Sequence, residues 1–210
     1  MKKTDLFFMF LILTVALPTY AQKDEVNSLK SQLGITFSTF GKCDVISFRK
    51  GGAGYTGDKY YSLGVIYLYR LNKTLDIETG IEYSNYKIII TPNLPPQMDN
   101  TPHTENFSLI DIPLALRVNF LTYCFINGGI GFDIDAGKLG SIDSQTGIGT
   151  NLGFGLKYDF KLGLSVFANP YLKVHSLILS SVENPQRLIE SGFKFGLIYR
   201  FNVRKKSNNG

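Results

Sequence analysis

The feature that most constrains this chain is a repeated alternation of apolar and polar residues with a period of two. Between residues 75 and 83 the odd positions are apolar or aromatic except for one threonine, while three of the four even positions are carboxylates. Successive side chains of a β-strand point to opposite faces, so the pattern predicts a strand with one apolar and one charged face. The alternation predicts eight strands, over residues 33–40, 59–71, 75–83, 108–120, 123–135, 148–158, 162–175 and 193–201.

The connections between these segments alternate in length. Residues 72–73, 121–122 and 160–161 form short gaps, whereas residues 41–58, 89–106, 136–147 and 176–192 form long ones that carry Gly, Pro, Asn and Ser. Short turns on one side and long loops on the other are typical of bacterial outer-membrane barrels. We therefore expect an all-β fold, an eight-stranded antiparallel up-and-down transmembrane β-barrel with short periplasmic turns and four longer external loops. A soluble barrel or sandwich is the alternative, and it would place the apolar face inside.

The start of the chain predicts export. Lys2 and Lys3 precede an apolar run over residues 6–17, and small residues follow up to Ala21. This is the organisation of a cleaved signal peptide, and the run is too short for the ~20 residues of a membrane-spanning helix, the alternative reading. We assign residues 1–21 to the signal peptide, 22–32 to a short periplasmic N-terminal segment, 33–203 to the barrel and 204–210 to a basic periplasmic tail. The expected location is the bacterial outer membrane.

The charge distribution and the two cysteines bear on the expected partners and on disulfide formation. The formal net charge is +5, but the basic residues are scattered singly except at the tail, so we expect no nucleic-acid partner. Cys43 is expected in the first external loop and Cys124 near the opposite rim. A disulfide needs Cα atoms within ~7 Å, so both thiols are expected to be free.

A short motif closes each even-numbered strand. It consists of an apolar residue, a basic residue, a second apolar residue and then Asn or Asp, at residues 69–72, 116–119, 156–159 and 199–202. Alternation sends the basic residue of each copy inward, near the periplasmic rim, and the aromatic residues outward as a girdle. The inward cations are Arg70, Arg117, Lys157 and Arg200, and the girdle is Tyr69, Phe120, Tyr158, Tyr199 and Phe201.

Buried cations need partners, because unpaired charge in a confined interior is costly. An eight-stranded barrel is only wide enough for side chains to fill it. We therefore predict a charged network that plugs the lumen, with Glu78 coupled to Arg70. An ion-selective path and a lumen of ordinary residues around trapped water are the alternatives. The carboxylates expected in the network are Asp76, Glu78, Glu82, Asp111, Asp133 and Asp159.

Several segments resemble a known family. Residues 107–118 with their Ile112-Pro113-Leu114 core, the Asn127-Gly128-Gly129-Ile130-Gly131 stretch and the aromatic end are similar to the PorT-like outer-membrane β-barrel family of Bacteroidetes-type bacteria. The resemblance covers nearly the whole mature chain. It implies an integral outer-membrane protein, and some members of the family look like accessory factors of a secretion system.

The last strand also matches a targeting pattern. Lys194, Gly196, Tyr199 and Phe201 match the C-terminal signal that the barrel-assembly machinery recognises on such proteins, although this chain continues nine residues past Phe201. The expected partners are outer-membrane lipid, the assembly machinery during biogenesis, and a protein bound through the external loops or a secretion complex.

No residue pattern predicts catalysis. His103 is expected in the second external loop, and His175 and Ser176 are adjacent strand residues that face opposite ways unless a bulge intervenes. We expect no cofactor, no metal and no enzymatic activity, and a monomer with a structural, surface-interaction or secretion-accessory role. A small porin-like or transport-associated barrel is the alternative, and a lipid-modifying enzyme is a third class.

Overall fold

The computed structural model describes residues 30–46, 52–137, 142–179 and 186–202. The predicted signal peptide, the basic tail and parts of the first, third and fourth external loops lie outside the described residues. Among the described residues, no helix combines the length and the apolar character needed to cross a membrane.

Eight antiparallel strands form a closed barrel in sequence order, and β1 closes the sheet against β8. The predicted up-and-down barrel is therefore confirmed. The strands are β1 Lys30–Ile46, β2 Gly54–Arg70, β3 Leu75–Thr91, β4 His103–Phe120, β5 Cys124–Asp135, β6 Gly147–Asp159, β7 Leu164–Leu179 and β8 Arg187–Asn202.

Tight turns join the strands at the end of the barrel where β1 begins and β8 ends. They span residues 71–74, 121–123 and 160–163, and longer connections lie at the opposite end. In the first turn the Asn72 side-chain oxygen accepts hydrogen bonds from the N–H groups of Thr74 and Leu75, both at 2.8 Å. Gly163, with a φ of 82°, permits the last turn.

The strands are longer than the alternation predicted, and the external loops are correspondingly shorter. β3 continues to Thr91 instead of ending at residue 83, and β4 begins at His103 instead of residue 108. Cys43 and His103 therefore lie in strands, contrary to their predicted positions in loops. β1 begins at Lys30, within the segment assigned above to a periplasmic N-terminal stretch.

The outer surface of the half of the barrel nearer the tight turns is apolar. On β4, Leu114 and Leu116 are 49% and 53% exposed, whereas the neighbouring Ala115 and Arg117 are buried. This arrangement is the one expected when lipid surrounds the barrel and side chains fill it. The same exposed belt continues around the barrel through Leu33, Ile35, Phe37, Leu63, Val65, Ile81, Ile126, Ile130, Phe132, Leu152, Phe154, Leu156, Leu172, Phe195 and Leu197.

The polarity of the two faces reverses toward the external end. On β4, Phe107 and Leu109 are buried in the barrel interior, while the outward Thr104 and Asn106 are polar and exposed. We refer to the two parts as the lower barrel, with apolar side chains outside, and the upper barrel, with apolar side chains inside. The buried apolar cluster of the upper barrel comprises Cys43, Val45, Tyr60, Tyr86, Ile88, Ile90, Phe107, Leu109, Ile142 and Leu188.

Register irregularities shift the alternation on three strands near this boundary. β1 is irregular between Thr39 and Lys42 against β8, where Phe40 adopts a φ of 57°. β2 is irregular between Gly57 and Lys59, and β7 carries Ser176 with a φ of 48°. A bulge inserts an extra residue, so the side chains beyond it exchange faces. The reversal and these bulges explain why the period-two pattern underestimated the strand lengths.

Candidate functional site

The filled interior of the lower barrel is the candidate functional site. Its polar side chains lie in successive layers from the tight turns to the upper barrel. All ten residues of the predicted charge network lie on the inward face, and Arg117, Asp76, Glu78, Glu82, Asp111 and Asp133 are buried.

The layer at the periplasmic rim contains three of the four predicted cations. Arg70 pairs with Asp76 at 3.1 Å, and Arg200 pairs with Asp159 at 3.1 Å. The ammonium of Lys157 lies 3.8 Å from Asp159 and donates to the Asn119 side-chain oxygen at 2.7 Å. A cavity of about 10 Å³ in this layer offers room for roughly one water molecule.

The next layer is built around Arg117. Its Nη2 lies 2.7 Å from Glu78 Oε2, and its Nε donates to the same oxygen at 2.8 Å. The guanidinium lies over two aromatic rings that contact each other edge to face, with Cζ 4.1 Å from the centroid of Phe125 and 4.9 Å from that of Phe167. The predicted coupling of Glu78 to Arg70 is wrong, because Arg117 on the neighbouring strand reaches Glu78 and Arg70 is held by Asp76.

Two glycines make room for these rings. A Cβ built on Gly155 would collide with the Phe125 ring, and one on Gly196 would collide with the Phe167 ring. The absence of a side chain at both positions lets each ring approach the wall closely beneath Arg117. Gly196, a predicted residue of the assembly signal, thus has a packing role in the barrel.

The third layer contains two lysines that the predicted network omitted. Lys173 donates to Glu82 and to Asp111, both at 3.0 Å, and Lys194 donates to Glu82 at 3.0 Å. The ammonium of Lys194 also lies 5.3 Å from the centroid of the Tyr171 ring. The inward positions of β7 alternate between polar and aromatic residues, and that mixture concealed the signal of Lys173.

The fourth layer gathers tyrosines around Glu190, a carboxylate that sequence reasoning missed. Tyr86 and Tyr171 each donate a hydrogen bond to one of its oxygens. Tyr60 donates to the Ser191 carbonyl at 2.9 Å. Glu190 lies in a segment predicted to be an external loop, so the period-two pattern gave it no face.

His175 joins this layer to the wall. Its Nδ1 lies 2.7 Å from Asp133 and its Nε2 lies 3.4 Å from Glu190. The expected opposition of His175 and Ser176 is wrong, because the bulge at Ser176 buries both side chains. Ser176 nonetheless donates to the Gln145 carbonyl, while both nitrogens of the imidazole contact carboxylates. The geometry therefore contains no hydrogen bond between a nucleophile and a base at this pair.

The described part of the third external connection, residues 142–146, packs over the upper barrel. Ile142 is buried in the upper apolar cluster. The Gln145 side chain donates to the Gln186 carbonyl at 2.9 Å and accepts from the Leu188 N–H at 3.0 Å. Gln186 in turn donates to the Tyr55 hydroxyl at 2.8 Å. These bonds connect the third external connection to the start of β8, and the start of β8 to β2.

Four of the five predicted girdle residues are exposed on the outer surface of the barrel. Phe120, Tyr158, Tyr199 and Phe201 are exposed on the outer surface, and Tyr69 is half-buried. Tyr158 lies against two further rings near the tight turns, with centroid distances of 6.2 Å to Tyr123 and 4.9 Å to Phe160. Of the assembly-signal residues, Tyr199 and Phe201 point outward, whereas Lys194 points into the lumen.

The described residues contain no group of three or more His, Cys, Asp or Glu side chains arranged to hold a metal ion. Cys43 and Cys124 both carry free thiols. Cys43 is buried on the inner face of β1, and Cys124 is half-buried at the first position of β5.

Comparison with known proteins identifies the fold. No protein-family model matches the chain, and no curated protein matches it. The solid-state NMR structure of the outer membrane protein AlkL in lipid bilayers aligns with a TM-score of 0.58 at 12% identity, over 88% of this chain and 96% of AlkL. The crystal structure of the outer membrane protein OprG from Pseudomonas aeruginosa aligns with a TM-score of 0.51 at 12% identity, over 84% of this chain and 97% of OprG. The chain therefore has the fold of small outer-membrane barrels.

Proposed function

We propose that this protein is a non-conducting integral barrel of the bacterial outer membrane that serves as a rigid scaffold for its external hairpins. The observation that carries the proposal is the filled interior. Every layer from Asp76 to Glu190 is crossed by hydrogen bonds or ion pairs, and residues 142–146 of the third external connection pack over the upper barrel. Because the interior is filled, any binding takes place on the outer surface, which contacts lipid, or on the external loops, which contact the medium.

Heat-modifiable gel mobility tests the membrane barrel. The protein extracted from the outer-membrane fraction should migrate faster without boiling than after boiling, because a closed barrel resists unfolding in detergent. An unshifted band, together with soluble protein in the periplasmic fraction, would contradict the proposal.

Planar-bilayer recording separates the scaffold from the small porin-like or transport-associated barrel. Purified protein should add no stepwise conductance to the lipid baseline, while a general porin in the same bilayer supplies the positive control. Reproducible steps from this protein would show a continuous water path past Arg117 and Lys173, and the scaffold proposal would fail.

The absence of enzymatic activity is part of the proposal. It is supported by the engagement of His175 with two carboxylates and by the separate hydrogen bond of Ser176 to Gln145. The lipid profile of a deletion strain should equal that of the parent strain. A lipid change restored by the wild-type protein but not by a His175→Ala variant would establish a lipid-modifying enzyme instead.

A secretion-accessory role of the PorT-like kind is the finer form of the proposal. Its support is the segment resemblance described above, which includes the Ile112-Pro113-Leu114 core of β4. A deletion strain should then lose proteins from the culture medium and regain them when the gene is restored. An unchanged set of secreted proteins would remove the secretion role and leave the scaffold.

A further inference from the structure

Three lysines form a row on the outer surface, just above the apolar belt. Lys42 on β1, Lys59 on β2 and Lys87 on β3 are all exposed. Lys59 and Lys87 are direct cross-strand partners, and a contact of 4.0 Å between the Cys43 sulfur and the Lys59 carbonyl sets β1 at the same height. We name Lys42, Lys59 and Lys87 the basic row.

The basic row has more positive charge than its neighbours balance. Like charges directly opposite each other on a sheet are destabilising unless an anion lies between them. Asp58 pairs with Lys87 at 2.9 Å. Asp44 lies two residues beyond Lys42 toward the loops, where it accepts a hydrogen bond from the Gly57 N–H at 3.4 Å. Within the described residues, the ammonium groups of Lys42 and Lys59 have neither a hydrogen bond nor an ion pair.

An apolar shelf lies directly below the row. The bulge in β1 turns Phe40 fully outward, with 77% of its surface exposed, and its ring meets Phe195 edge-on at a centroid distance of 6.4 Å. Tyr61 and Leu63 on β2 are 44% and 54% exposed on the same side. A non-glycine residue with a positive φ is uncommon, so the strand adopts a disfavoured conformation that displays this ring.

We propose that the basic row and the shelf together bind a phosphorylated lipid of the outer leaflet. The ammonium groups of Lys42 and Lys59 contact the phosphate, and the acyl chains lie against Phe40, Phe195 and Leu63. A lysine ammonium provides three donors and a point charge, which suits a phosphate at the membrane surface. The row stands where the apolar belt ends, which is the depth of the lipid headgroups.

Native mass spectrometry tests the site. The protein is released from bicelles of phosphatidylcholine that contain 5% diphosphorylated lipid A, and lipid A adducts are counted. Lys42→Gln/Lys59→Gln should lower the affinity for lipid A about tenfold or more, since each lysine near a membrane surface attracts anionic lipid. Lys73→Gln/Lys161→Gln is the matched control, because it removes two isolated lysines from the tight turns.

The outcomes are distinct. A large loss of adducts in the first variant, a small loss in the control and retention in Lys42→Arg/Lys59→Arg support the site. Equal losses in both glutamine variants would show diffuse attraction to anionic lipid and overturn it, as would no loss in either. If 10 mM inorganic phosphate displaces lipid A completely, the acyl shelf contributes nothing and the lipid assignment fails. The heat-modifiable mobility of each variant verifies that the barrel is folded.

Discussion

The lower and upper parts of the barrel use the same strands with opposite polarity. In the lower barrel the outer face is apolar and the interior is charged, as at Leu114 and Arg117. In the upper barrel the interior is apolar and the outer face is polar, as at Leu109 and Thr104. Both interiors are filled, so filling is common to the two parts and only the chemistry of the filling differs.

The difference shows that the surroundings of the wall decide what its interior can contain. Where lipid covers the outside, apolar side chains on that face gain nothing from being moved inside, so the lumen is free to hold polar residues that satisfy one another. Where water covers the outside, the hydrophobic effect drives apolar side chains inward. On β2 and β3 the outward residues change from apolar to basic across Tyr61 and Tyr83, so these tyrosines mark the height at which lipid gives way to water.

The largest expected effect comes from breaking the charged interior. Arg117→Ala should lower the free energy of unfolding by about 3–5 kcal/mol, because Glu78 is left buried without its partner. Urea unfolding in phospholipid vesicles measures the change. The double variant Arg117→Ala/Glu78→Ala should recover part of the loss, and a loss equal to the sum of the two single variants would show that the pair is not coupled.

The matching test in the upper barrel removes an apolar side chain. Ile88 is completely buried, so Ile88→Ala should cost about 3 kcal/mol through lost burial and the cavity that remains. Ile89 is its outward neighbour on β3, and Ile89→Ala should cost about 0.5 kcal/mol in the same urea titration. Equal costs would mean that the upper interior is not a packed core.

A lysine scan on the outer face of β4 sharpens the boundary between lipid and water. Leu114→Lys should destabilise by about 2 kcal/mol, because the position faces the middle of the apolar belt. Thr104→Lys lies ten residues higher on the same face and should change stability by about 0.5 kcal/mol or less. Similar costs at both positions would contradict the assignment of the upper barrel to water.

The smallest expected effect concerns Gln145, whose side chain attaches the third external connection to β8. Gln145→Ala removes the acceptor of the Leu188 N–H and should weaken the upper barrel by about 1 kcal/mol. Hydrogen exchange at the Leu188 amide should accelerate about fivefold. Gln97→Ala, in the exposed second external loop, should leave that amide unchanged, and an equal acceleration in both variants would argue against a specific attachment.

The sequence predicted the fold because lipid contact enforces the alternation on long stretches such as β3. The strand count, their order and the short and long connections all follow from that single pattern. The upper ends of the strands escaped prediction because the alternation changes phase there and because bulges near Phe40, Asp58 and Ser176 shift the register. An alternation that assumes apolar residues on the outer face can be followed only as far as lipid surrounds the strand, because the apolar residues lie on the inner face above that height.

The interior was predictable by residue but not by partner. Alternation sends Arg70, Arg117 and the carboxylates of β3 inward, yet partners depend on the stagger between strands, which the sequence does not display. Because of that stagger, Glu78 forms its salt bridge with Arg117 instead of with the predicted partner Arg70. Lys173 escaped because its segment mixes aromatic and polar residues on the inward face, and Glu190 escaped because its segment was predicted to be an external loop. The lysines of the basic row escaped because Lys42 was assigned to a loop, Lys59 to the first position of a strand, and Lys87 to neither a strand nor a loop.

The strands differ in length around the barrel, and this gives the molecule a front and a back in the membrane plane. β3 and β4 have 17 and 18 residues, whereas β5 and β6 have 12 and 13. At roughly 3.4 Å per residue, the longer pair gains about 17 Å of wall. A neighbour that diffuses in the membrane meets a tall polar face from one direction and a low one from the other. Encounters above the lipid are therefore directional even for a monomer.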